Sequence, residues 1–209
     1  MGLKLITANW EEKRLLAYTG VSHSVSDAWH IIYPALLFLI AVDHPNYFFL
    51  GVLANITVAS RALAGMASGF LADRYSSRIL YGAFAVLSAL GCFLIYLTSG
   101  TIMLAVGLFV LGVGTGIYHP VGLASITRFV RRRTEALGIH ESTGSLGLSL
   151  FPVLLISIGI AYGWRTSFLV GGFVSLLPLL LLPLIPGNFD MPGQDSGDED
   201  NRDSWSDVL

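Results

Sequence analysis

Residues 21–42, VSHSVSDAWHIIYPALLFLIAV, place three titratable side chains directly before an unbroken apolar run. His23, Asp27 and His30 are spaced by four and three residues, so they share one face of a helix. In a soluble protein this pattern is ordinary. Inside a membrane each of the three groups is costly, so the composition of the whole chain has to decide which environment applies.

The composition is that of a membrane protein. The chain has 209 residues, of which 54% are hydrophobic and 12% are charged, and its mean hydropathy is +0.68. A typical soluble domain carries about 25% charged residues. The charges are concentrated near the start, in two short basic stretches and in an acidic tail. Between them lie apolar runs of about 20 residues, the length needed to cross the hydrocarbon core.

Six such runs are predicted to be transmembrane helices, joined by short connections that make neighbouring helices antiparallel. Their approximate bounds are Ala17 to Val42, Tyr47 to Ala72, Ile79 to Thr98, Ile102 to Phe129, Glu135 to Ile160 and Arg165 to Ile185. The predicted fold is an all-α membrane protein, a six-transmembrane-helix bundle over residues 17–186. An N-terminal segment, 1–16, precedes it, and an acidic tail, 187–209, follows it and is predicted to be disordered.

Lysine and arginine are distributed unequally between the two ends of the predicted bundle. One end carries Lys4, Lys13, Arg14, Arg74, Arg78, Arg128, Arg131, Arg132 and Arg133. The opposite end carries only Arg165. The positive-inside rule then predicts that both termini are cytoplasmic, with the chain a multi-pass protein of the plasma membrane.

Ionisable residues inside the predicted spans are functional candidates, because desolvation costs each of them at least ~2.5 kcal/mol. They occur on the first, second, fourth and fifth spans and not on the third or sixth. The set comprises His23, Asp27, His30, Arg61, His119, His140 and Glu141. We interpret these residues, together with Tyr118, as lining a substrate or proton pathway.

Depth in the membrane predicts which of these groups meet. At ~1.5 Å per helical residue, Asp27 and Arg61 lie at matching depth near the midplane, which predicts an ion pair. That pair either braces the first two spans or takes part in function, with Arg61 binding an anion or Asp27 carrying a proton. Glu141 is predicted to be within reach of His119. Because adjacent helical residues point about 100° apart, His140 and Glu141 are expected to point in different directions.

The turn between the second and third spans carries a family resemblance. Residues 69–80, GFLADRYSSRIL, resemble the conserved loop of the major facilitator superfamily. The matching residues are Gly69, Leu71, Ala72, Asp73, Arg74 and Arg78. Residues 112–130, GVGTGIYHPVGLASITRFV, are similar to the glycine-rich fourth span of fosmidomycin-resistance-like members, through Tyr118, His119 and Pro120.

The resemblance implies a secondary active transporter and matches the N-terminal six-span half of a twelve-span fold. The expected assembly is a parallel homodimer that moves a small solute by alternating access. Protons are the favoured coupling ion, since the carboxylates and histidines can titrate. In the family, Asp73 faces the start of a helix in the other half. Here that is the fifth span of a second copy, with Thr134 as its expected N-cap.

Two alternatives remain open: one half of a hetero-assembled transporter, and a non-transporting membrane scaffold. An enzyme is not expected. A rhomboid-type protease needs a Gly-x-Ser-Gly motif and a histidine on the sixth span, whereas residues 143–147 read TGSLG. A membrane di-metal oxidase needs closely spaced histidine boxes.

No cofactor, metal or nucleic-acid partner is predicted. The expected partners are a small-molecule substrate, the lipid bilayer and a second copy. Arg61 and the histidines favour an anion, but the resemblance equally permits drug export.

Overall fold

The computed structural model describes residues 9–186, which form the predicted all-α bundle with six stretches long and apolar enough to cross a membrane. The helices are α1 (Trp10–Asp43), α2 (Tyr47–Leu71), α3 (Ser77–Tyr96), α4 (Thr101–Phe129), α5 (Arg133–Tyr162), α6 (Trp164–Ser175) and α7 (Leu177–Leu180). A single 3-10 turn, Leu182–Leu184, follows them. Lys4 and the predicted acidic tail, 187–209, lie outside the described residues.

Polar caps determine where several helices begin. The Asn9 side chain accepts a hydrogen bond from the Glu12 backbone N–H at 2.8 Å, and the Glu12 carboxylate accepts one from the Asn9 N–H at 3.1 Å. This capping box satisfies two N–H groups that the first helical turn leaves without partners. As a result α1 begins at Trp10, before the predicted Ala17. At the start of α2 the Asn46 side chain accepts a single hydrogen bond from the Phe49 N–H.

The sixth span is interrupted, whereas a single helix from Arg165 to Ile185 was expected. The helix α6 ends at Ser175, and a four-residue helix and a 3-10 turn complete the crossing. Pro178 and Pro183 lie at the starts of these two short elements. Proline has no N–H to donate and its ring crowds the preceding turn, which favours a break in the helix here.

Glycines on α4 allow α2 to pack closely against it. A Cβ atom added at Gly112 would meet the Ser60 hydroxyl, and one added at Gly116 would meet the backbone carbonyl oxygen of Arg61. The helix α2 packs extensively on α4 and only lightly on α1, whereas α1 packs along α5. This choice of neighbours positions Arg61 beside α4.

An ion pair joins the two helices that meet at the end of the bundle opposite the basic turns. The Asp43 Oδ2 accepts hydrogen bonds from Trp164 Nε1 at 3.0 Å and from Arg165 Nη1 at 2.5 Å. The Arg165 guanidinium also lies 4.3 Å from the centre of the Trp164 ring. These contacts hold the last turn of α1 against the first turn of α6.

Candidate functional site

Asp27 lies near the middle of α1, and three histidines surround its carboxylate. The side chain is only 11% exposed. His23 Nε2 lies 3.2 Å from Oδ2, His119 Nε2 lies 3.1 Å from Oδ1, and His30 Nδ1 lies 3.5 Å from Oδ1. The prediction that His23, Asp27 and His30 share one helical face is confirmed. We use the term histidine–aspartate cluster for His23, Asp27, His30, His119 and His140.

The orientation of the His23 ring is set by α5. Its Nδ1 lies 2.8 Å from the backbone carbonyl oxygen of His140, and the two imidazole rings stack with centroids 4.0 Å apart. A carbonyl oxygen can only accept a hydrogen bond, so we assign the ring hydrogen of His23 to Nδ1. This assignment leaves Nε2 as the atom that faces Asp27.

Several polar atoms of the cluster are buried without a hydrogen-bond partner among residues 9–186. They are Asp27 Oδ1, His119 Nε2 and both ring nitrogens of His140. The 3.1 Å approach of His119 to Asp27 is therefore an ion-pair distance without an aligned hydrogen bond. Each unsatisfied buried polar group costs about 1–3 kcal/mol, so their concentration at one place requires a functional explanation.

The predicted Asp27–Arg61 pair is wrong. Arg61 Nε donates instead to the hydroxyl of Thr115 on α4, at 3.1 Å, and its Nη2 is buried without a hydrogen-bond partner in the described part of the chain. The two side chains do not pair because α2 packs on α4, which directs the arginine there. The Thr115 hydroxyl donates in turn to the Leu111 carbonyl oxygen at 2.9 Å.

The two ionisable residues of α5 point in different directions, as predicted. His140 is 1% exposed, and Glu141 is exposed. The Glu141 carboxylate nevertheless groups with ring nitrogens of His23 and His140, all within 4.8 Å of one another. His119, the predicted neighbour of Glu141, lies against Asp27.

Tyr118 is completely buried, and its ring packs against the cluster instead of facing an open space. Its hydroxyl donates to the Thr19 carbonyl oxygen at 2.5 Å, and its ring stacks on His23 with centroids 5.7 Å apart. The residue that follows it, His119, has a side chain that is 34% exposed. The tyrosine thus fixes the turn of α4 that presents His119 to Asp27.

Two residues of the site were missed by sequence reasoning, Thr115 and Gly144. A Cβ atom at Gly144 would lie 2.5 Å from Asp27 Oδ2 and 2.7 Å from His23 Cε1, so only glycine leaves room for this pair. The signal available in the sequence was position. Gly144 follows His140 by four residues and therefore lies on the same face of α5.

The turn between α2 and α3 contributes contacts at the surface. Asp73 Oδ1 lies 3.1 Å from Arg128 Nη2, and both side chains are exposed. Gly69 and Arg74 are also exposed. Asp73, the acidic residue of the loop between α2 and α3, therefore contacts the last turn of α4 within the same six-helix unit.

Arg78 and Thr134 are the last two residues of the predicted conformational-gating set, which also includes Gly69, Asp73 and Arg74. Arg78 Nη2 donates to the Ile185 and Pro186 carbonyl oxygens, at 2.8 and 3.0 Å, and ties this turn to the end of the sixth span. The prediction that Thr134 caps α5 is wrong, because α5 begins at Arg133 and Thr134 lies in its first turn. Arg132 occupies the cap position and makes no capping bond with its side chain.

Comparison with known proteins is consistent with this arrangement of helices. The family model described as Major Facilitator Superfamily matches residues 21–208. An uncharacterized MFS-type transporter of Mycobacterium tuberculosis is 34% identical over 145 residues, covering 63% of this chain and 24% of that protein. A probable sulfoacetate transporter of Cupriavidus necator is 29% identical over 129 residues, covering 61% of this chain and 30% of that protein. The chain thus spans less than a third of the length of these curated relatives.

Solved structures show the same fold. A crystal structure of a peptide transporter POT, bound to alafosfalin, superposes with a TM-score of 0.73 at 17% sequence identity. The match covers 82% of this chain and 38% of that one.

Proposed function

This chain belongs to the major facilitator superfamily, and from that premise we propose that it is a secondary active transporter that carries a small organic anion by alternating access. The histidine–aspartate cluster and Arg61 form the solute-binding region near the middle of the membrane. Within the superfamily, the predicted likeness to fosmidomycin-resistance proteins stays a prediction.

The anion assignment rests on the burial and the hydrogen bonding of the Arg61 guanidinium. Its guanidinium keeps Nη2 buried and without a hydrogen-bond partner in the described residues, while Nε is held by Thr115. A buried, preoriented guanidinium edge matches the two oxygens of a carboxylate or sulfonate. One relative is a probable transporter of sulfoacetate, a molecule with both groups. We therefore favour an organic acid over an uncharged drug.

A second six-helix unit completes the path in this proposal, and another copy of this chain is the favoured partner. The helices α2 and α5 bury the smallest shares of their most apolar stretches, 22% and 28%, against 56% for α1 and α4. The exposed side of α5 also carries polar residues at helical spacing, namely Glu141, Ser142, Ser145 and Ser149. A carboxylate facing lipid is costly, so this side favours contact with a polar path or a partner helix.

The expected arrangement is a parallel pair related by a twofold axis along the membrane normal, with the solute path along that axis. Both termini would face the cytoplasm, and the plasma membrane is the expected location. Coupling to protons stays a prediction from the titratable groups. It is checked by imposing a pH gradient across proteoliposomes and asking whether uptake follows the gradient.

The test of the anion assignment is uptake into proteoliposomes of radiolabelled sulfonates and carboxylates beside a neutral sugar. Wild-type protein should accumulate at least one of the anions and not the sugar. Arg61→Gln should reduce that uptake more than tenfold, and Arg61→Lys should restore little because a lysine ammonium lacks the planar pair of N–H groups that binds two oxygens side by side. Arg131→Gln, which changes an exposed arginine of the α4–α5 turn, is the matched control and should transport normally. Uptake of the sugar alone, or equal uptake by Arg61→Gln, contradicts the assignment.

A further inference from the structure

We propose that the histidine–aspartate cluster binds a divalent transition-metal ion through His23 Nε2, the Asp27 carboxylate and His119 Nε2. The sequence alone predicted no metal site, because His23 and His30 are seven residues apart and form no histidine box. The fold brings in His119 from α4, and the three ligand groups then offer atoms that all lie within 4.8 Å of one another. The inference does not depend on whether the chain is a transporter.

The chemistry of the contact between His23 and Asp27 calls for a cation. The Nδ1 of His23 lies 2.8 Å from the His140 carbonyl oxygen and therefore carries a ring hydrogen. In the neutral imidazole the lone pair is then on Nε2, which faces the Asp27 Oδ2 at 3.2 Å. Two hydrogen-bond acceptors at this distance repel each other unless a positive group lies between them or beside them.

The donor set fits a transition metal. Two neutral imidazoles and one carboxylate are the ligands that Zn²⁺ and Fe²⁺ accept in proteins, with metal–ligand distances of about 2.0–2.2 Å. Histidines that bind metals usually donate their other N–H to a carbonyl or carboxylate, which orients the ring. The bond from His23 to the His140 carbonyl is such a contact.

An ion can reach the cluster from its exposed side, and His30 offers a further ligand atom. The side chains of His119 and His30 are each 34% exposed, so an ion can reach Asp27 from that side. His30 lies 3.5 Å from Asp27 Oδ1 and its ring is stacked on His119, with centroids 5.8 Å apart. A small movement of His30 would add a fourth ligand.

Arg61 opposes a cation at this place, and two features reduce its effect. The contact with Thr115 holds the guanidinium towards α4. The Asp27 carboxylate neutralises one of the two positive charges that the ion brings. Affinity therefore has to come from direct coordination, which makes it sensitive to each ligand.

The experiment uses the purified full chain in mild detergent, without a polyhistidine tag, after treatment with a chelator. Co²⁺ is titrated in while its visible d–d bands are recorded. We expect saturation at one Co²⁺ per chain, and displacement of the Co²⁺ by Zn²⁺. His23→Gln, Asp27→Asn and His119→Gln should each weaken binding more than tenfold. His44→Gln is the matched control, because His44 also follows a carboxylate on α1 but lies at the far end of that helix, and it should bind as wild type does.

A second measurement separates loss of a ligand from loss of the fold. Zn²⁺ should raise the melting temperature of wild type and of His44→Gln but not of His119→Gln, whose partly exposed position tolerates a change of side chain. Wild-type protein without d–d bands at millimolar Co²⁺ overturns the proposal and leaves a proton as the group between His23 and Asp27. Equal weakening by His44→Gln also overturns it, since binding would then not be at the cluster.

Discussion

His23 Nε2 and Asp27 Oδ2 lie 3.2 Å apart, one helical turn from each other on α1. Because both residues belong to one helix, their separation is set by local geometry and persists when the helices of the bundle shift. Of the other members of the cluster, His30 lies on the same helix, and His119 and His140 come from α4 and α5. Those two helices therefore determine the charge, the hydrogen bonds and the access of a fixed histidine–carboxylate pair.

Replacing Gly144 with alanine should disturb this pair. The new Cβ would lie 2.5 Å from Asp27 Oδ2 and 2.7 Å from His23 Cε1, so α5 or the pair has to move. Overpacking of this kind costs about 1–3 kcal/mol, and we expect lower thermal stability in detergent together with reduced uptake.

Gly138→Ala on the same helix is the control, because a Cβ there meets nothing within 4 Å. It should be neutral, or stabilising by about 0.5–1 kcal/mol through the gain in helix propensity. If the two alanine variants melt and transport alike, close packing at Gly144 does not matter.

Replacing Thr115 with valine should weaken the hold on Arg61. The hydroxyl that accepts from Arg61 Nε at 3.1 Å is lost, which leaves a second buried donor of the guanidinium unsatisfied at a cost of about 1–3 kcal/mol. We expect a lower melting temperature and a raised KM for the transported anion.

Thr127→Val provides the comparison for that change. The Thr127 hydroxyl contacts only carbonyl oxygens of its own helix, those of Leu123 and Ala124, in its hydrogen bonds among the described residues. Its loss should affect neither quantity by much. An unchanged KM in Thr115→Val would argue against a binding role for Arg61.

Asp73→Asn should separate stability from transport. The ion pair between Asp73 and Arg128 is exposed, and such pairs contribute about 0–1 kcal/mol, so the melting temperature should hardly change. If Asp73 also locks one state of the transport cycle against the partner unit, uptake should fall several-fold.

Arg128→Gln, alone and combined with Asp73→Asn, tests which contact matters. An equal loss in all three variants points to the ion pair within the unit. A loss only when Asp73 is changed points to the partner. Normal uptake by Asp73→Asn would remove this residue from the transport mechanism.

The proposed twofold pair places α2 of one copy against α5 of the other. Ala59 and Ser145 are both exposed, and each is twelve residues from the end of its helix that lies beside the basic turns. They therefore lie at equal height, about 18 Å from that end. Ala59→Cys combined with Ser145→Cys should give a covalent dimer with a short bifunctional maleimide.

Each single cysteine variant is a control and should stay monomeric on a denaturing gel, as should wild type, whose Cys92 is buried. Native mass spectrometry in mild detergent should show twice the chain mass. Monomers alone in both measurements would rule out the homodimer and favour a different chain as the partner unit.

Much of the fold could be predicted from residue order. Apolar runs of sufficient length, separated by short polar turns, predicted six antiparallel helices because lipid requires each backbone group to bond within its own span. Helical periodicity placed His23, Asp27 and His30 on one face, and it separated His140 from Glu141. Capping chemistry moved the start of the first span to Trp10, and the prolines of the sixth span accompany its division into shorter elements.

The partners of the buried charges were decided by the tertiary structure. The rise per residue predicts similar depths for Asp27 and Arg61, but depth does not say which helices are neighbours or how each is rotated. Gly112 and Gly116 let α2 pack onto α4, so Arg61 reached Thr115. The Asp27 carboxylate instead contacts histidines from its own helix and from α4. The sequence by itself thus determined the spans and the faces of the helices, and the close packing of small residues between helices determined which charged groups meet.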